Sequence, residues 1–583
     1  MTLTGPNSPL TLLDSLLHPG GGNAIARYLA PTKYRELGFG LGVLAVISAR
    51  LVYVTLKRAN AFRSLDGPKP ASFIFGNEML LFLPETSLSI HDECLGRYGS
   101  VCKFKGMMGE DLLWIADPRA INEIILKGYD CFHSSEGFVT WTDLAFGPNL
   151  VTATGHKHKI QRKVLNPVFT ASHLRDLVLL GSFYTEARHL EGVITAMIGA
   201  GGSNTGTIDV EKWMSNVGLE MIGQAGVGHS FGIMSDKEPE YLGASRQVFP
   251  LIHRMWYIRP FLPTLTRIGS ARFRRFVVGC ISFGPIGLFR KATEVLDKLT
   301  GGILAQKRQA LADGNLESEV AAGKDMISML LKQSQGNSSE ERMSEQEILG
   351  NINALIFAGH ETTSGGLART LHLLAQHPDV QNQLRAEVRE AHGLHGKDLD
   401  YDQINSLKYL DAICRESLRL WSPIQLLERV ATKDSILPLQ NPIKLKDGKN
   451  TTEKLHVPRG TRMYVSLGSV NRDKRTWGED AEDFKPARWL QPLPSTVAES
   501  KIPGVYSNLM TFSGGPKSCI GFKFSQLEMK IVLSALISSF IFELGPEEHT
   551  WTSAAVVKPH AQKKDGTIEP APSLRMKVTL VED

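Results

Sequence analysis

The longest helical pattern of the chain begins after Ser344. Apolar side chains recur from Ile348 to Leu374 at intervals of three or four residues, the spacing that places them on one face of an α-helix. Ser344 and Glu347 have the types and the spacing of a capping box, in which each side chain bonds the backbone of the other residue. About thirty residues at 1.5 Å each would give a helix of ~45 Å, long enough to cross a large domain.

Shorter patterns predict further elements before and after this helix. Residues 131–150 lack periodicity and are expected to form a loop, and the stretches 200–207 and 333–343 are expected to be connectors. We predict a hairpin from strands at 101–105 and 112–116, helices over 118–126, 378–391, 409–421 and 522–540, and strands at 551–559 and 574–581.

The N-terminal region contains one continuously apolar stretch, residues 37–56. About twenty residues span ~30 Å as a helix, so we predict a transmembrane anchor, with a buried or surface-lying helix as the alternative. Arg50 lies in the C-terminal third of this stretch, where its side chain can reach toward the membrane interface. The numbers of positive charges on the two sides of the stretch are nearly equal, and Arg50 favours a cytosolic location for the C-terminal side. Residues 1–36 would form an N-terminal extension, and 57–76 a linker with a proline-rich hinge.

Composition narrows the class of protein. Hydrophobic residues make up 42% and charged residues 21% of the 583, which fits a globular protein with a substantial core. The net charge of +5 is small for this length, so the chain offers little support for nucleic-acid binding. The six cysteines are scattered without paired spacing, which argues against a disulfide framework and a zinc site.

One cysteine near the C-terminal end sits in a turn-rich stretch, residues 512–521, FSGGPKSCIG. Glycine permits backbone conformations that let such a loop press against a flat ligand. A sulfur at the start of the helix predicted behind the loop is favoured as a thiolate by exposed N–H groups and the helix dipole. The alternative is an ordinary buried cysteine. A phosphate-binding loop is excluded, because Pro516 stands where that motif requires glycine.

The centre of the predicted long helix is polar: residues 358–363 read AGHETT. Burying polar side chains without partners is costly, so the stretch needs an explanation. A zinc-protease helix is excluded, because Ser364 stands where H-E-x-x-H requires its second histidine. Two readings remain: a local kink in which Thr362 bonds back to a carbonyl, and a groove that Gly359 and Thr362 open over a ligand.

The cysteine loop resembles the haem-binding segment of the cytochrome P-450 family, F-x-x-G-x-R-x-C-x-G, which it matches at Phe512, Gly515, Cys519 and Gly521. The resemblance implies haem b with the Cys519 thiolate as the axial ligand of its iron, and a haem-binding role for Phe512, Gly515 and Lys517. Lys517 departs from the family pattern, which usually has arginine there. It keeps the positive charge but lacks the planar fork that grips a carboxylate.

Other segments resemble the family in the same order along the chain. Residues 358–363 match [A/G]-G-x-[D/E]-T, which implies that Thr362 and Glu361 deliver protons to dioxygen, the reading we prefer. His158 and Arg162 are similar to a W/H-x-x-x-R pair that holds a haem propionate, with histidine as in many fungal members. By the same resemblance Arg429 would also bind a propionate.

The resemblance also assigns structural and pocket-lining roles. Glu416, Arg419 and Arg488 would form a buried lock that serves folding and haem retention. The substrate pocket would be lined by the loop at 131–150 and by apolar residues, namely Ile424, Leu426, Leu427, Val556 and Val557.

Taken together, the resemblance implies a mainly α fold with a small β-rich lobe and a haem-thiolate monooxygenase catalytic domain at 77–583. Electrons would come from NADPH through NADPH-cytochrome P-450 reductase, with cytochrome b5 as a possible second donor. The chain would hydroxylate an apolar small molecule, with a terpenoid or other specialised metabolite preferred, at the cytosolic side of the endoplasmic reticulum membrane. A fatty-acid or xenobiotic hydroxylase and a haem-thiolate isomerase or dehydratase are the alternatives.

Overall fold

The computed structural model describes residues 62–200, 202–233, 239–281, 284–315, 323–336 and 342–581. Contacts divide the chain into two units, Met1–Arg63 and Ser64–Asp583. The predicted extension at 1–36 and the predicted anchor at 37–56 lie outside the described residues, and the anchor stays a prediction. Within the described ranges, no helix combines the length and the apolar character needed to cross a bilayer.

The second unit is mainly helical, as predicted. Three of the described helices continue directly into π-helical turns, at Cys94–Tyr98, Glu123–Lys127 and Ile222–Val227. In chain order the described α-helices are α1 (Ser89–Glu93), α2 (Pro118–Asn122), α3 (Glu136–Phe146), α4 (Gly155–Leu165), α5 (Ala171–Leu179), α6 (Ser182–Gly199), α7 (Val210–Met221), α8 (Glu240–Arg254), α9 (Leu262–Leu265), α10 (Ala271–Gly279), α11 (Gly284–Ala312), α12 (Met326–Gly336), α13 (Glu345–Gln376), α14 (Pro378–His395), α15 (Tyr401–Ser406), α16 (Lys408–Leu420), α17 (Leu467–Val470), α18 (Lys474–Trp477), α19 (Ser495–Ser500) and α20 (Phe522–Ser539).

The strands form small sheets. They are β1 (Val101–Lys105), β2 (Asp111–Ile115), β3 (Phe132–His133), β4 (Thr205–Asp209), β5 (Leu426–Ala431), β6 (Ser435–Lys444), β7 (Thr451–Val457), β8 (Arg462–Ser466), β9 (Gly504–Tyr506), β10 (Leu509–Gly514), β11 (Phe540–Glu543), β12 (His549–Ala554), β13 (Val556–Ala561) and β14 (Arg575–Leu580). The largest sheet has the order β1-β2-β8-β5-β3, in which β2 and β8 are parallel and the other neighbours antiparallel. The other described sheets are β11-β14-β4, β12-β13, β6-β7 and β10-β9.

Helix α13 is the centre of the main hydrophobic core. The capping box at its start is present, with the Ser344 side chain accepting from the Glu347 backbone and the Glu347 side chain accepting from the Ser344 backbone. The helix runs for 32 residues, and most of its side chains between Ile348 and Ala375 are buried. It packs against α7, α11, α16, α20 and β13, so elements from distant parts of the chain meet along its length.

Three predictions from the local pattern are wrong. The expected loop at 131–150 contains α3, which begins with a Ser135 cap and buries Trp141 and Ala145 on one face. The expected connector at 200–207 contains the start of β4, which exists because it pairs with β14 at the other end of the chain. The single strand expected at 551–559 is the hairpin β12-β13, turned at Ala555, whose φ is 71°.

A buried ion cluster ties the start of this unit to the largest sheet. The carboxylate of Glu78 accepts from the Arg462 guanidinium at 2.8 and 3.0 Å and from that of Arg259 at 2.9 Å. Arg259 also pairs with Glu428 at 3.0 Å, and Arg462 with Glu110 at 2.7 Å. Burial raises the pKa of Glu78, but the two guanidinium groups outweigh it and hold the pKa at about 2.

Candidate functional site

The cysteine loop joins β10 to α20 through a short 3₁₀ turn, Gly515–Lys517. Gly515 has φ of +64°, and a Cβ there would lie 2.5 Å from the carbonyl oxygen of Ile125, so glycine is required for both conformation and space. The Cys519 N–H donates to the carbonyl oxygen of Phe512 at 2.9 Å, which closes the loop. The predicted residues Phe512, Gly515, Lys517 and Cys519 therefore lie in one compact turn.

The sulfur of Cys519 retains accessible surface, yet the surrounding protein atoms desolvate it. Desolvation raises the pKa of the thiol, while the Gly521 N–H and the Arg162 guanidinium favour the thiolate. The expected stabilisation of the thiolate by the start of α20 is therefore outweighed in the protein alone. A cation bound to the sulfur would reverse this balance, because a thiol that coordinates a metal ion loses its proton.

Four basic side chains from three parts of the chain gather around this loop: His158, Arg162, Lys517 and Arg429. Arg162 donates to the carbonyl oxygen of Ser518 at 2.6 Å, and Lys517 donates to the carbonyl oxygen of Ala153 at 2.8 Å. His158 and Arg162 lie on one face of α4, as their spacing predicts.

Burial lowers the pKa values of these basic side chains, and repulsion between them adds to the effect for Lys517 and His158. Burial lowers the pKa of Lys517 to about 8, with Arg429 adding to the effect. Burial also lowers the pKa of His158 to about 4, with contributions from Lys517 and Arg162, and that of Arg429 to about 10. Each shift disfavours the charged form, so the group as a whole is short of negative charge.

The composition of this group fits haem. Arg162, Lys517 and Arg429 donate to backbone carbonyls but form no ion pair with a carboxylate of the described residues. Desolvated cations without a counter-ion are costly, so a ligand with two carboxylates would relieve the site. Haem carries two propionates and an iron that a cysteine can ligate, and a cysteine and unpaired cations are the groups that this loop presents.

The polar centre of α13 lies close to the helix that follows the cysteine loop. The hydroxyls of Thr363 and Ser525 are 3.1 Å apart, which joins α13 to the first turn of α20. Thr362 is half-buried, and its hydroxyl donates to the carbonyl oxygen of Ala358 at 2.7 Å. This is the hydrogen bond expected if Thr362 produces a local kink in the helix. A Cβ on Gly359 would lie 2.7 Å from the Ile222 side chain, so this glycine also lets the π-helical turn approach.

Glu361 points away from solvent into an ion cluster. Its carboxylate is 3.2 Å from the ammonium of Lys558 on β13 and 3.5 Å from Nδ1 of His360. Burial raises the pKa of Glu361, but Lys558 and His360 outweigh it, so the pKa lies below its usual range. The sequence did not predict Lys558 as the partner of Glu361. The one signal that could have suggested a buried role is the position of a lysine directly after the apolar residues Val556 and Val557.

The predicted buried lock is present next to the cysteine loop. Arg419 donates to both carboxylate oxygens of Glu416 at 2.9 Å, and Arg488 approaches the same carboxylate at 3.4 Å. Both Glu416 and Arg419 have no exposed side-chain surface. The Thr511 hydroxyl donates to the Leu418 carbonyl at 2.7 Å, which fastens α16 to the strand that carries the loop.

Two of the segments predicted to line the substrate pocket contact each other, and one of them, β13, also contacts α13. The Val557 N–H donates to the carbonyl oxygen of Pro423 at 2.9 Å, next to Ile424. A Cβ on Gly365 would lie 3.0 Å from the Val557 carbonyl oxygen, so β13 lies directly against α13 there.

Comparisons with known proteins agree with this geometry. A family model for cytochrome P-450 matches residues 66–561. Cytochrome P-450 monooxygenase 91 of Postia placenta is 40% identical, over 89% of this chain and 94% of that protein. A ganoderic acid synthetase of Ganoderma lucidum is 41% identical, over 82% of this chain and 87% of its own length. A cytochrome P-450 monooxygenase of Hericium erinaceus is 32% identical, over 90% of this chain and 97% of its own length.

Proposed function

The chain belongs to the cytochrome P-450 family of monooxygenases, and from that premise we propose that it hydroxylates an apolar terpenoid or a related specialised metabolite. The observation that carries the proposal is the desolvated Cys519 sulfur beside basic side chains that lack carboxylate partners among the described residues. When bound through a thiolate, haem supplies the activation of dioxygen that such a hydroxylation needs.

Within this proposal the chain's own residues hold and orient the haem. Cys519 is the iron ligand, and Phe512 and Gly515 shape the loop that carries it. Arg162, His158, Lys517 and Arg429 bind the propionates, for which their positions around the loop and their shortage of negative charge are the support. The Gly521 N–H donates to the sulfur and moderates its charge.

Proton delivery is assigned to Thr362 and Glu361. Thr362 retains accessible surface, like Ala358 one turn before it, in the middle of a mostly buried helix, and its hydroxyl can exchange the Ala358 carbonyl for another partner. Glu361 directly precedes Thr362 in the helix. Its pKa lies below its usual range, so the carboxylate is ionised at rest and readily gives up a proton once it has taken one up.

Electrons come from NADPH through NADPH-cytochrome P-450 reductase, with cytochrome b5 as an accessory donor. A surface depression of about 700 Å³ beside Pro516 supports this assignment, because Lys159, Arg162 and Lys163 line it. A basic depression next to the cysteine loop is suited to an acidic partner, since opposite charges speed and orient docking.

We place the protein on the endoplasmic reticulum membrane, single-pass, with the catalytic unit on the cytosolic side. The apolar stretch at 37–56 is the first support. The second is a set of exposed apolar side chains close to the N-terminal end of the catalytic unit. Phe73 is 95% and Met108 75% exposed, and the Met108 N–H donates to the Ile74 carbonyl, so they share one surface.

The substrate class rests on the pocket walls and on one relative. Strand β13, which contacts α13, carries Val556 and Val557, and the segment that it bonds at Pro423 continues with Ile424; these aliphatic side chains favour an apolar molecule. The ganoderic acid synthetase of Ganoderma lucidum is named for a terpenoid product, which makes a terpenoid the preferred substrate here.

The test has two arms. The full chain is purified, reduced and exposed to carbon monoxide, and the strongly red-shifted Soret band of thiolate ligation is expected, with Cys519→Ala lacking it. The chain is then expressed with a reductase in a host fed terpenoids, fatty acids or xenobiotics. NADPH-dependent hydroxylation of a terpenoid is expected. Turnover that needs no NADPH would mean an isomerase or dehydratase, and a hydroxylated fatty acid would change the substrate class.

A further inference from the structure

A buried ion cluster surrounds the Glu361 carboxylate; its members are Glu211, His360, Glu361 and Lys558. The Lys558 ammonium donates to Glu211 at 2.7 Å and to the Ser364 hydroxyl at 3.0 Å, in addition to its ion pair with Glu361. His360 is 2.8 Å from the Ser215 hydroxyl. Elements α7, α13 and β13 each supply at least one member.

Two buried carboxylates, Glu211 and Glu361, share the Lys558 ammonium. Burial raises the pKa of Glu211 and outweighs its Lys558 partner, whereas Glu361 beside the same ammonium has a lowered pKa. Burial lowers the pKa of His360 to about 4, so the imidazole is neutral. These directions favour the protonated form of Glu211 and the ionised form of Glu361 on either side of the Lys558 ammonium.

Several polar atoms of this cluster have no hydrogen-bond partner among the described residues. They include Oε2 of Glu211, Oε1 of Glu361 and Nδ1 of His360, and the Tyr241 hydroxyl on α8 is in the same state. Buried polar atoms are nearly always satisfied by protein or by ordered water. A group of them around acidic side chains is suited to proton transfer, because each can take up a hydrogen bond as a proton moves.

We propose that Glu211, Lys558 and Glu361 form a proton relay that ends at Thr362, in which Lys558 is the residue that positions Glu361. The inference rests on the proposed function and adds to it the source of the protons. Its geometric support is the single ammonium that touches both carboxylates, one of which precedes Thr362 directly in α13.

The transfer is balanced in protons and involves no other reactant. Glu361 starts ionised and Glu211 holds the proton. Lys558 gives one proton to Glu361 while taking one from the Glu211 carboxyl group, so the ammonium charge is unchanged. Glu361 then passes its proton to the hydrogen bonds of Thr362 and is ionised again. Glu211 regains a proton from solvent on the side of α8, where Arg246 is half-buried and close enough to influence both carboxylates.

The experiment compares the full chain with Lys558→Met, Lys558→Arg and Glu211→Gln. Lys530→Met is the matched control, because Lys530 is also buried and pairs with Asp411 at 2.8 Å, away from this cluster. The first readout is the infrared carboxylic-acid stretch of each protein, which needs no turnover. The second is hydrogen peroxide released per NADPH oxidised, with reductase and with ethoxycoumarin as the probe.

Glu211→Gln is expected to remove one carboxylic-acid band, and Lys558→Met to add one as Glu361 becomes protonated. Both should slow oxidation of the probe by about 10-fold or more and raise the peroxide yield, since positioned proton transfer contributes about 10²–10⁴-fold. Lys558→Arg should restore most of the coupling, and Lys530→Met should keep it.

Unchanged bands and unchanged peroxide yield in Lys558→Met would overturn the relay. Loss of the red-shifted carbon monoxide spectrum in Lys558→Met would also overturn it, because the cluster would then hold the haem site together and have no part in moving protons. If the unaltered chain lacked that spectrum, the proposed function would fail, and the infrared bands would still report the protonation of Glu211 and Glu361.

Discussion

Removing the charge of Glu416 should destabilise the protein far more than removing the charge of an exposed carboxylate. The Glu416 carboxylate accepts from Arg419 twice, from the Trp489 indole at 2.9 Å and from the Lys485 N–H at 3.1 Å. In Glu416→Gln the amide would turn an N–H group toward these donors and leave the fully buried Arg419 without a counter-charge. Breaking a buried pair from one side costs about 3–5 kcal/mol.

The cost is measured as the free energy of unfolding in urea, followed by tryptophan fluorescence on the full chain in detergent. Glu543→Gln is the matched control, since Glu543 pairs with Lys577 at 2.9 Å but both side chains are 48% exposed. Such exposed pairs contribute about 0–1 kcal/mol. The double variant Glu416→Gln, Arg419→Met should recover part of the loss, because the stranded charge is removed. A Glu416→Gln loss no larger than that of the control would refute the reasoning.

Three further predictions concern the cysteine loop, the propionate group and the response to acid. Gly515→Ala should lower the haem content of the purified protein, because a left-handed conformation costs a residue with a side chain about 1–2 kcal/mol and the Cβ would overlap the Ile125 carbonyl. Gly521→Ala is the control and should keep its haem, because the atom nearest to the added Cβ would be 3.6 Å away. Equal haem contents in the two variants would contradict this prediction. Lys517→Met should weaken haem binding by about 10-fold or more, because a charge-assisted hydrogen bond is worth about 1.5–3 kcal/mol. The measurement is haem transfer to apomyoglobin. Lys517→Arg should retain the haem affinity, and a matching loss in both variants would count against a propionate contact. The Glu78 carboxylate, whose pKa falls from 4.5 to about 2 on folding, should stabilise the protein by about 3 kcal/mol above pH 4.5 and lose that contribution as the pH falls toward 2. Other carboxylates with a lowered pKa, such as Asp480, lose their contributions to stability over the same range in both proteins, so urea unfolding should show a steeper loss in the unaltered chain than in Glu78→Gln. Parallel curves would exclude the linkage.

Much of the helical architecture could be predicted from the sequence because its signals are local. The capping box at Ser344 and the apolar spacing behind it lie within one helix, so α13 was predicted with nearly its observed bounds. Strand β4 could not be predicted this way, since its polar sequence pairs only with β14, more than 350 residues later. Helix α3 was hidden because glycine and polar residues interrupt its apolar face.

The site shows the same division between local and distant signals. The residues of the cysteine loop and the pair His158 and Arg162 were found because fixed spacings mark them. The ion-pair partner of Glu361 could not be predicted from the sequence, because Lys558 lies on a strand near the C-terminal end and no fixed spacing connects Lys558 with Glu361. Proximity of this kind is decided by how β13 packs on α13, which a local pattern does not encode.

The ion cluster around Glu78 sets a limit on how far the N-terminus can be trimmed. A shortened chain that starts at Ser64 keeps Glu78 together with Arg259 and Arg462, so the shared contacts remain intact. A start beyond residue 78 deletes the carboxylate that hydrogen-bonds both guanidinium groups, and among the described residues it leaves Arg259 with Glu428 alone and Arg462 with Glu110 and Glu428. Cuts for crystallisation therefore belong within the proline-rich hinge, upstream of this carboxylate.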